Sequence, residues 1–312
     1  MHRYKFILTR PLQFVPVLFG ISVITFILVR LIPGDPVRNI LGTRATPSAI
    51  ANIRAQYGLD EPMWVQYFYF LRNLANGEMG KSVLYKIDVL KLILTRIEPT
   101  LALVATSVVL SVLIAVPLAA IAARSNGRAP DHIIRVVSTF GIGFPPFWLG
   151  LMLIILFSVD LGWLPVSGYG NTLGDKAAHL LLPSLTIALS LSTVLTRSLR
   201  TAMIEGLKSD VATAVRARGM PESTVFWRHV LPNSLLPTIN LLAVNIGWLI
   251  GGTVVVETVF ALPGMGQLLV RAIFSRDYMV VQGVAMVFAC ATVFINFIAD
   301  IATVMVDPRV RL

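Results

Sequence analysis

Long apolar runs alternate with more polar connections along most of this chain. The runs fall at 11–32, 99–123, 133–159, 180–199, 235–256 and 281–306. Each approaches the ~20 mostly apolar residues that one membrane-crossing helix needs. The pattern therefore predicts an all-α membrane protein with about six transmembrane helices. The fourth run, LLLPSLTIALSLSTVLTRSL, is the least apolar because it is rich in Ser and Thr. Such side chains are accommodated inside a bundle, where neighbouring helices offer partners. Pro16, Pro117, Pro145, Pro146 and Pro183 lie in or near the runs. Membrane helices tolerate proline when neighbours satisfy the freed backbone groups. The first run, Pro11 to Ile32, is longer than the ~7–15 apolar residues of a signal peptide, and no A-x-A-like site follows it. It reads as a retained anchor.

Composition agrees with a membrane setting. Of 312 residues, 56% are hydrophobic and 13% charged, against about 25% charged in soluble domains. The net charge of +10 then reads as basic flanks of spans, not as a nucleic-acid footprint. Arg3, Lys5 and Arg10 precede the first run, and Arg124, Arg128 and Arg135 flank the second connection. Arg197, Arg200, Lys208, Arg216, Arg218 and Arg228 lie around the fourth, and Arg309 and Arg311 close the chain. The connection at 160–179 has only Lys176, and that at 257–280 has Arg271 and Arg276. The asymmetry predicts cytoplasmic termini, a cytoplasmic loop at 200–234 and an external segment at 33–98. Three parts follow: a tail and first span at 1–32, a small external subdomain at 33–98, and a core at 99–312. The single cysteine, Cys290, allows no intrachain disulfide.

The external segment contains ANGEMGKS at 75–82, which fits the loosest phosphate-binding loop. That loop requires a strand before the glycines and a helix after the Lys-Ser. Here YFYFLRNL precedes it and reads as helix, while the following SVLYKIDV is too β-branched for one. The charge pattern also places the motif away from cytoplasmic ATP. Gly80-Lys81-Ser82 therefore reads as a Gly-rich turn. Thr46-Pro47 is the expected start of an earlier helix.

The stretch RTAMIEGLKSDVATAVRARGMPESTVFWRHVLPNSLLP at 200–237 is a long polar interruption between two spans. Thr201 to Arg218 reads as helical, with Met203, Leu207, Val211 and Val215 at helical spacing. Gly219 suits the left-handed helix terminus. Pro221 suits the first turn of a new helix, and Glu222 complements its dipole. The expected short helix, roughly 221–229, would present Val225, Phe226 and Trp227. Pro232 and Pro237 are expected to break it before the next span. Such a projecting amphipathic helix suits a groove on a partner.

Here the sequence resembles a known family. AVRARG at 214–219 followed by HVLP at 229–232 is similar to the signature loop of ABC-importer permeases, including the spacing from Gly219 to Pro232. Where sugar-importer relatives carry Glu-Ala-Ala, this chain has Thr213-Ala214-Val215, which is closer to the dipeptide, oligopeptide and nickel branch. RLIPGDP at 30–36, YGLDEP at 57–62, GEMGKS at 77–82, GWLPVSGYG at 162–170, VFALPGMGQLLVRAIFSRDY at 259–278 and the DPR at 307–309 also resemble that branch. The resemblance implies the type I ABC-importer transmembrane fold with a periplasmic subdomain, in the bacterial inner membrane.

It also implies an importer subunit for peptides, or for nickel chelates, glutathione or sugars. The chain would pair with a second permease, two cytoplasmic P-loop ATPases and an extracytoplasmic binding protein. ATP and Mg²⁺ would be bound by those ATPases; this chain would be no enzyme and carry no cofactor. Ala214, Arg216, Ala217, Arg218, Gly219, Pro221, Glu222, Val225, Phe226, Trp227, His229 and Pro232 become the expected coupling residues. The competing reading is a stand-alone secondary transporter or channel, which calls for buried ion-coupling carboxylates or inverted repeats; neither is evident.

A few residues stand apart. Arg30 reads as a snorkelling end of the first span. Glu257, Asn245 and Trp248 are candidates for a gate or pathway, although a solvated helix end is the plain alternative for Glu257. Asp300, with Asn296 four residues before it, reads as a hydrogen-bonded bundle contact. His179 has no companion ligands at metal spacing, so no metal site is expected. GFPPFWLG reads as a packed helix break. Gly247, Gly251 and Gly252 beside Asn245 would permit close helix approach at a seam with the second permease.

Overall fold

The computed structural model describes residues 14–27, 46–56 and 60–306. Arg30, the RLIPGDP stretch, the basic termini and the side chain of Asp300 lie outside the described residues. The first helices are α1 (Phe14–Ile27), α2 (Pro47–Gln56), α3 (Met63–Ala75) and α4 (Val89–Arg124). Then come α5 (Ala129–Gly143), α6 (Pro146–Leu153), α7 (Leu173–Leu207) and α8 (Asp210–Ala217). The last are α9 (Leu231–Val259), α10 (Met265–Phe274) and α11 (Tyr278–Val306). Among the described residues the sole strand pairing is an isolated bridge between Lys81 and Asp88.

Among the described residues, four helices are long and apolar enough to cross a membrane, in α4, α7, α9 and α11. The bent pair of α5 with α6 and its π-helical continuation, Ile154–Asp160, is a fifth when the two are taken together as one broken span. The sixth expected span, 11–32, is described only over α1. The break at Phe144-Pro145 follows from two prolines in sequence. Phe144 and Pro145 are both extended, as residues before proline tend to be, and Pro146 opens α6. Phe144 stacks on Trp148 at 4.7 Å, and both rings stay exposed on this chain rather than packed into it.

The chain forms two compact units, Met1–Glu98 with Gly264–Ala291, and Pro99–Pro263 with Thr292–Leu312. In the first, the aromatic face of α3 packs on α1. The Tyr67 ring lies 5.1 Å from Phe26, and its hydroxyl shares a 2.7 Å hydrogen bond with Ser22. Val89, Leu92 and Ile93 pack with Met265, Leu268, Ala272, Val280 and Val284. Glycine is required at Gly283, since a Cβ there would lie 2.7 Å from Val89 Cγ1.

The ANGEMGKS stretch sits in this unit and is preceded by helix α3, not by a strand. Gly77 and Gly80 adopt φ of +77° and +80°, which turn the chain. The Ser82 hydroxyl donates to Asp277 Oδ2 at 2.6 Å. The same oxygen accepts the Leu84 N–H at 3.1 Å, and Ser82 Oγ accepts the Tyr85 N–H. The serine that would hold a nucleotide's metal in a phosphate loop is buried and bonded inside a turn.

In the second unit, α7 is the most buried of the four spanning helices although the least hydropathic. Several of its hydroxyls bond back to the helix: Thr186 donates to the Leu182 carbonyl and Thr193 to that of Leu189, while those of Ser190 and Thr196 are buried without a partner among the described residues. Thr106 and Ser184 share a bond between α4 and α7. This is the bundle setting in which Ser and Thr are tolerated. One core joins Ala115, Ala119, Ala120 and Ala123 of α4 to Leu191, Leu195, Leu199 and Met203 of α7. Small side chains on α4 let the larger ones of α7 approach. A second core joins Leu103, Ile154, Leu180, Ile187, Val256, Phe260 and Leu262.

Candidate functional site

The polar stretch between α7 and α9 folds into two short helical pieces, not the single helix that the spacing of Met203 to Val215 suggests. Ser209 breaks it: its hydroxyl donates to the Gly206 carbonyl and accepts the Ala212 N–H, which caps α8. Val211 consequently points outward while Met203 and Val215 are buried. Gly219 ends α8 at φ +74°, as the sequence suggested, with its N–H bonded to the Arg216 carbonyl.

Beyond Pro221 the chain makes one turn at Glu222–Thr224, then a π-turn at Val225–Val230, and runs straight into α9. Pro232 and Pro237 therefore do not break the segment from the span, contrary to expectation. Pro232 is the second residue of α9, directly after the π-turn. The carbonyl four residues before it belongs to Arg228, inside the wider π-turn, where i→i+5 bonding leaves room for the ring. Pro237 is carried within α9, flanked by Ser234 and Thr238, whose hydroxyls bond back to the carbonyls of Val230 and Ser234.

A second expectation also fails. Val225 and Phe226 are not presented to solvent: they are 0% and 2% exposed. They insert into the core made by α4, α7 and α8, beside Ala119, Leu199, Met203 and Val215. The Arg124 guanidinium lies 5.6 Å from the Phe226 ring centre, a cation–π contact. Trp227, the next residue, turns the other way and is 50% exposed. The π-turn thus has an inner edge that grips the bundle and an outer edge with Trp227 and Arg228. Met220, Pro221, Arg218, Ala217 and Ala214 are exposed as well. His229 is half-buried, and its carbonyl accepts the Asn233 amide.

Arg216 holds the pieces together. Its Nε and Nη2 donate to the two Glu222 oxygens at 2.5 and 3.2 Å, and Nη1 donates to the Leu207 carbonyl at 2.9 Å. One guanidinium thereby joins the end of α7, α8 and the turn at Glu222. The bonds from Arg216 hold the Glu222 carboxyl below its ordinary value, and the Glu222 oxygens raise Arg216. The fork geometry is specific to arginine.

The gate candidates are not gathered on one face. Trp248 and Glu257 are separated by nine residues, about half a turn off register at 3.6 residues per turn. Trp248 is 80% exposed and Glu257 is 0% exposed. Glu257 is no solvated helix end: Oε1 accepts the Thr100 hydroxyl at 2.6 Å. Asn245 donates to the Leu241 carbonyl, a contact within its own helix. Gly247 does bring α9 close to α11, since a Cβ there would meet Asn296 Oδ1 at 3.3 Å. Gly251 and Gly252 have nothing within 4 Å of such an atom. With Val244, Trp248 and Val255 they form an open apolar strip along α9.

Sequence reasoning missed Thr100 and a second contact, the ion pair of Asp131 and Arg200. Both link partners distant in sequence, 157 and 69 positions apart. Their local surroundings carried no signal beyond a charge at a helix end.

Comparison with known proteins adds a family to this geometry. Residues 115–312 match the model described as "Binding-protein-dependent transport system inner membrane component". Residues 3–106 match "Binding-prot-dependent transport system membrane comp, N-term". The chain is 36% identical over 307 residues to the "Glutathione transport system permease protein GsiC" of Escherichia coli O6:H1, covering 98% of this chain and 99% of that protein. The proteins of that name from Salmonella typhi and Escherichia coli K12 are similar to the same extent. Among solved structures, the inward-facing MetNI methionine ABC transporter aligns with TM-score 0.57 at 17% identity, over 69% of this chain and 96% of that one. An amino acid ABC transporter with histidines aligns at 0.53 and 14%, over 68% and 93%. These two likenesses concern the fold.

Proposed function

The chain belongs to the binding-protein-dependent transport system inner membrane component family and is a permease of an ABC importer, and from that premise we propose how it works and what it carries. It forms half of a translocation pathway together with a second permease. Two ATPase subunits, which bind ATP and Mg²⁺, dock beneath the two permeases, one of them on this chain's segment between α7 and α9. An extracytoplasmic binding protein delivers the solute. The termini and this segment face the cytoplasm, and residues 33–98 face outward, as the Lys and Arg distribution supports.

The observation that carries the coupling role is the two-sided π-turn. Trp227 and Arg228 face out for a partner, with Met220 and Arg218 near the preceding turn. Val225 and Phe226 are locked into α4 and α7. A push on the outer edge is therefore delivered to spanning helices, not absorbed by a loose loop. Arg216 stiffens the segment through its bonds to Leu207 and Glu222. The open strip of Val244, Trp248, Gly251, Gly252 and Val255 is the surface of α9 offered to the second permease and the pathway.

The solute is a short peptide-like molecule. The name of its glutathione-permease relatives supports glutathione itself, a tripeptide, as the first to try. The deciding experiment is purification of the tagged chain from its native membrane in mild detergent, followed by reconstitution of the recovered complex in liposomes. A second permease and ATPases should accompany it, and labelled glutathione or dipeptide should enter only with ATP and binding protein. Trp227→Asp should lower uptake while the chain stays folded in the membrane. A lone homo-oligomer that transports without ATP would overturn the reading.

A further inference from the structure

Asp131 opens the first turn of α5, and Arg200 lies near the end of α7. Asp131 is almost fully buried, and Arg200 is largely so. Arg200 Nε donates to Asp131 Oδ1 at 2.5 Å and Nη2 donates to Oδ2 at 2.7 Å, a two-point fork. Oδ2 also accepts the Gly127 N–H at 2.9 Å. Arg200 Nη2 reaches Asn126 Oδ1 at 3.3 Å, and Arg135 Nε stands 3.8 Å from Oδ1. One carboxylate thus fastens the start of the broken span to α7 and orders the connection that joins α4 to α5.

What lies next to Arg200 gives the pair its meaning. Leu199 and Met203 of the same helix are in the core that grips Val225 and Phe226. Arg200 and Met203 are three residues apart, about 4.5 Å along the helix axis. Any displacement of the π-turn that moves the end of α7 must move Arg200 with it. The α5–α6 span has no member in the core around Phe226, so that core does not connect it to the turn.

We propose that the Asp131–Arg200 pair is a positioning contact that carries motion of the π-turn from α7 into the broken span α5–α6. The inference rests on the coupling role proposed above. A two-point fork suits this task because it fixes direction as well as distance, whereas a lysine would leave the angle free. Replacing both partners by apolar residues often preserves stability while removing the fork, so folding and transmission are separable.

The test uses the whole importer in liposomes and reads two rates, ATP hydrolysis and solute uptake. The variants are Asp131→Asn, Arg200→Lys and the double Asp131→Leu/Arg200→Met. Expected is a fall of about tenfold in uptake per ATP hydrolysed, a typical size for a lost coupling contact. The ATPases should still co-purify, and the double variant should melt near the wild-type temperature. A wild-type ratio in the double variant, with the complex intact, would overturn the proposal while leaving the coupling role standing. Failure of the unaltered complex to link ATP to uptake would overturn both.

Discussion

Thr100 of α4 and Glu257 of α9 meet through a 2.6 Å hydrogen bond, and neither side chain is open to solvent. The contact ties two spanning helices together at a buried carboxyl. Removing the hydroxyl in Thr100→Val takes a donor from that oxygen without changing shape. The expected loss is about 1–3 kcal/mol, read as a lower melting temperature of the detergent-solubilised chain. Thr100→Ser keeps the donor and should stay near wild type. Equal loss in both variants would mean that packing, not the bond, matters at this position.

Neighbouring aromatic residues of the π-turn should behave differently. Phe226→Ala empties a core position and should destabilise the chain by about 3–5 kcal/mol, seen as less folded protein in the membrane. Trp227→Ala removes an exposed ring and should leave the folded amount unchanged. Its effect should show instead as weaker retention of ATPase subunits during purification. Matching losses of folded protein would contradict the two-sided geometry.

Acid should loosen the clasp between Arg216 and Glu222. The Arg216 hydrogen bonds hold the folded Glu222 carboxyl below its ordinary value of 4.5. A depressed carboxyl contributes stability above the unfolded value, and that contribution disappears as pH falls through the folded one. The segment around Gly219 should thus be equally resistant to limited proteolysis from pH 6 to 8 and become susceptible in the acid range. Glu222→Gln should show near-neutral pH susceptibility already and a flatter acid response. Glu222 is well exposed, so the effect should be local, without a change in global melting.

Gly219 combines a positive φ with open space where a Cβ would go. Gly219→Ala should therefore carry backbone strain alone, about 1 kcal/mol, whereas Gly219→Asn should be milder because asparagine tolerates this region. The order Gly, Asn, Ala in uptake per ATP hydrolysed checks it. An Ala variant better coupled than Asn would argue against the left-handed turn.

The turn at Ser82 offers a separate check. Ser82→Ala removes the donor to Asp277 in a buried setting and should lower the melting temperature. Lys81→Ala, at an exposed position of the same motif, should change neither stability nor ATP hydrolysis by the assembled importer. Abolished hydrolysis in Lys81→Ala would restore a nucleotide role to this stretch.

Much of the architecture was legible from the chain because it rests on local physics. Bilayer thickness sets how long an apolar run must be, so the spans at 99–123, 180–199, 235–256 and 281–306 follow from composition alone. Gly219, Pro221 and Glu222 announced a helix end and a new start, since left-handed φ and proline geometry are properties of single residues. The paired prolines at 145–146 likewise announced the break between α5 and α6. The tertiary structure decided the rest. Adjacent apolar residues such as Phe226 and Trp227 look alike in sequence, and only packing against α4 and α7 assigns one to the core and one to the surface. Pro232 and Pro237 continue a helix that their intrinsic preference would interrupt, because a wide π-turn makes room for the first. Glu257 and Asp131 are charged groups whose meaning depends on Thr100 and Arg200, which the fold brings across 157 and 69 positions. Hydrophobic pattern marks most of the helical segments, and single Gly and Pro residues mark some of their ends. Contacts between distant segments choose which face of each is buried, and so which side chains are free to meet a partner.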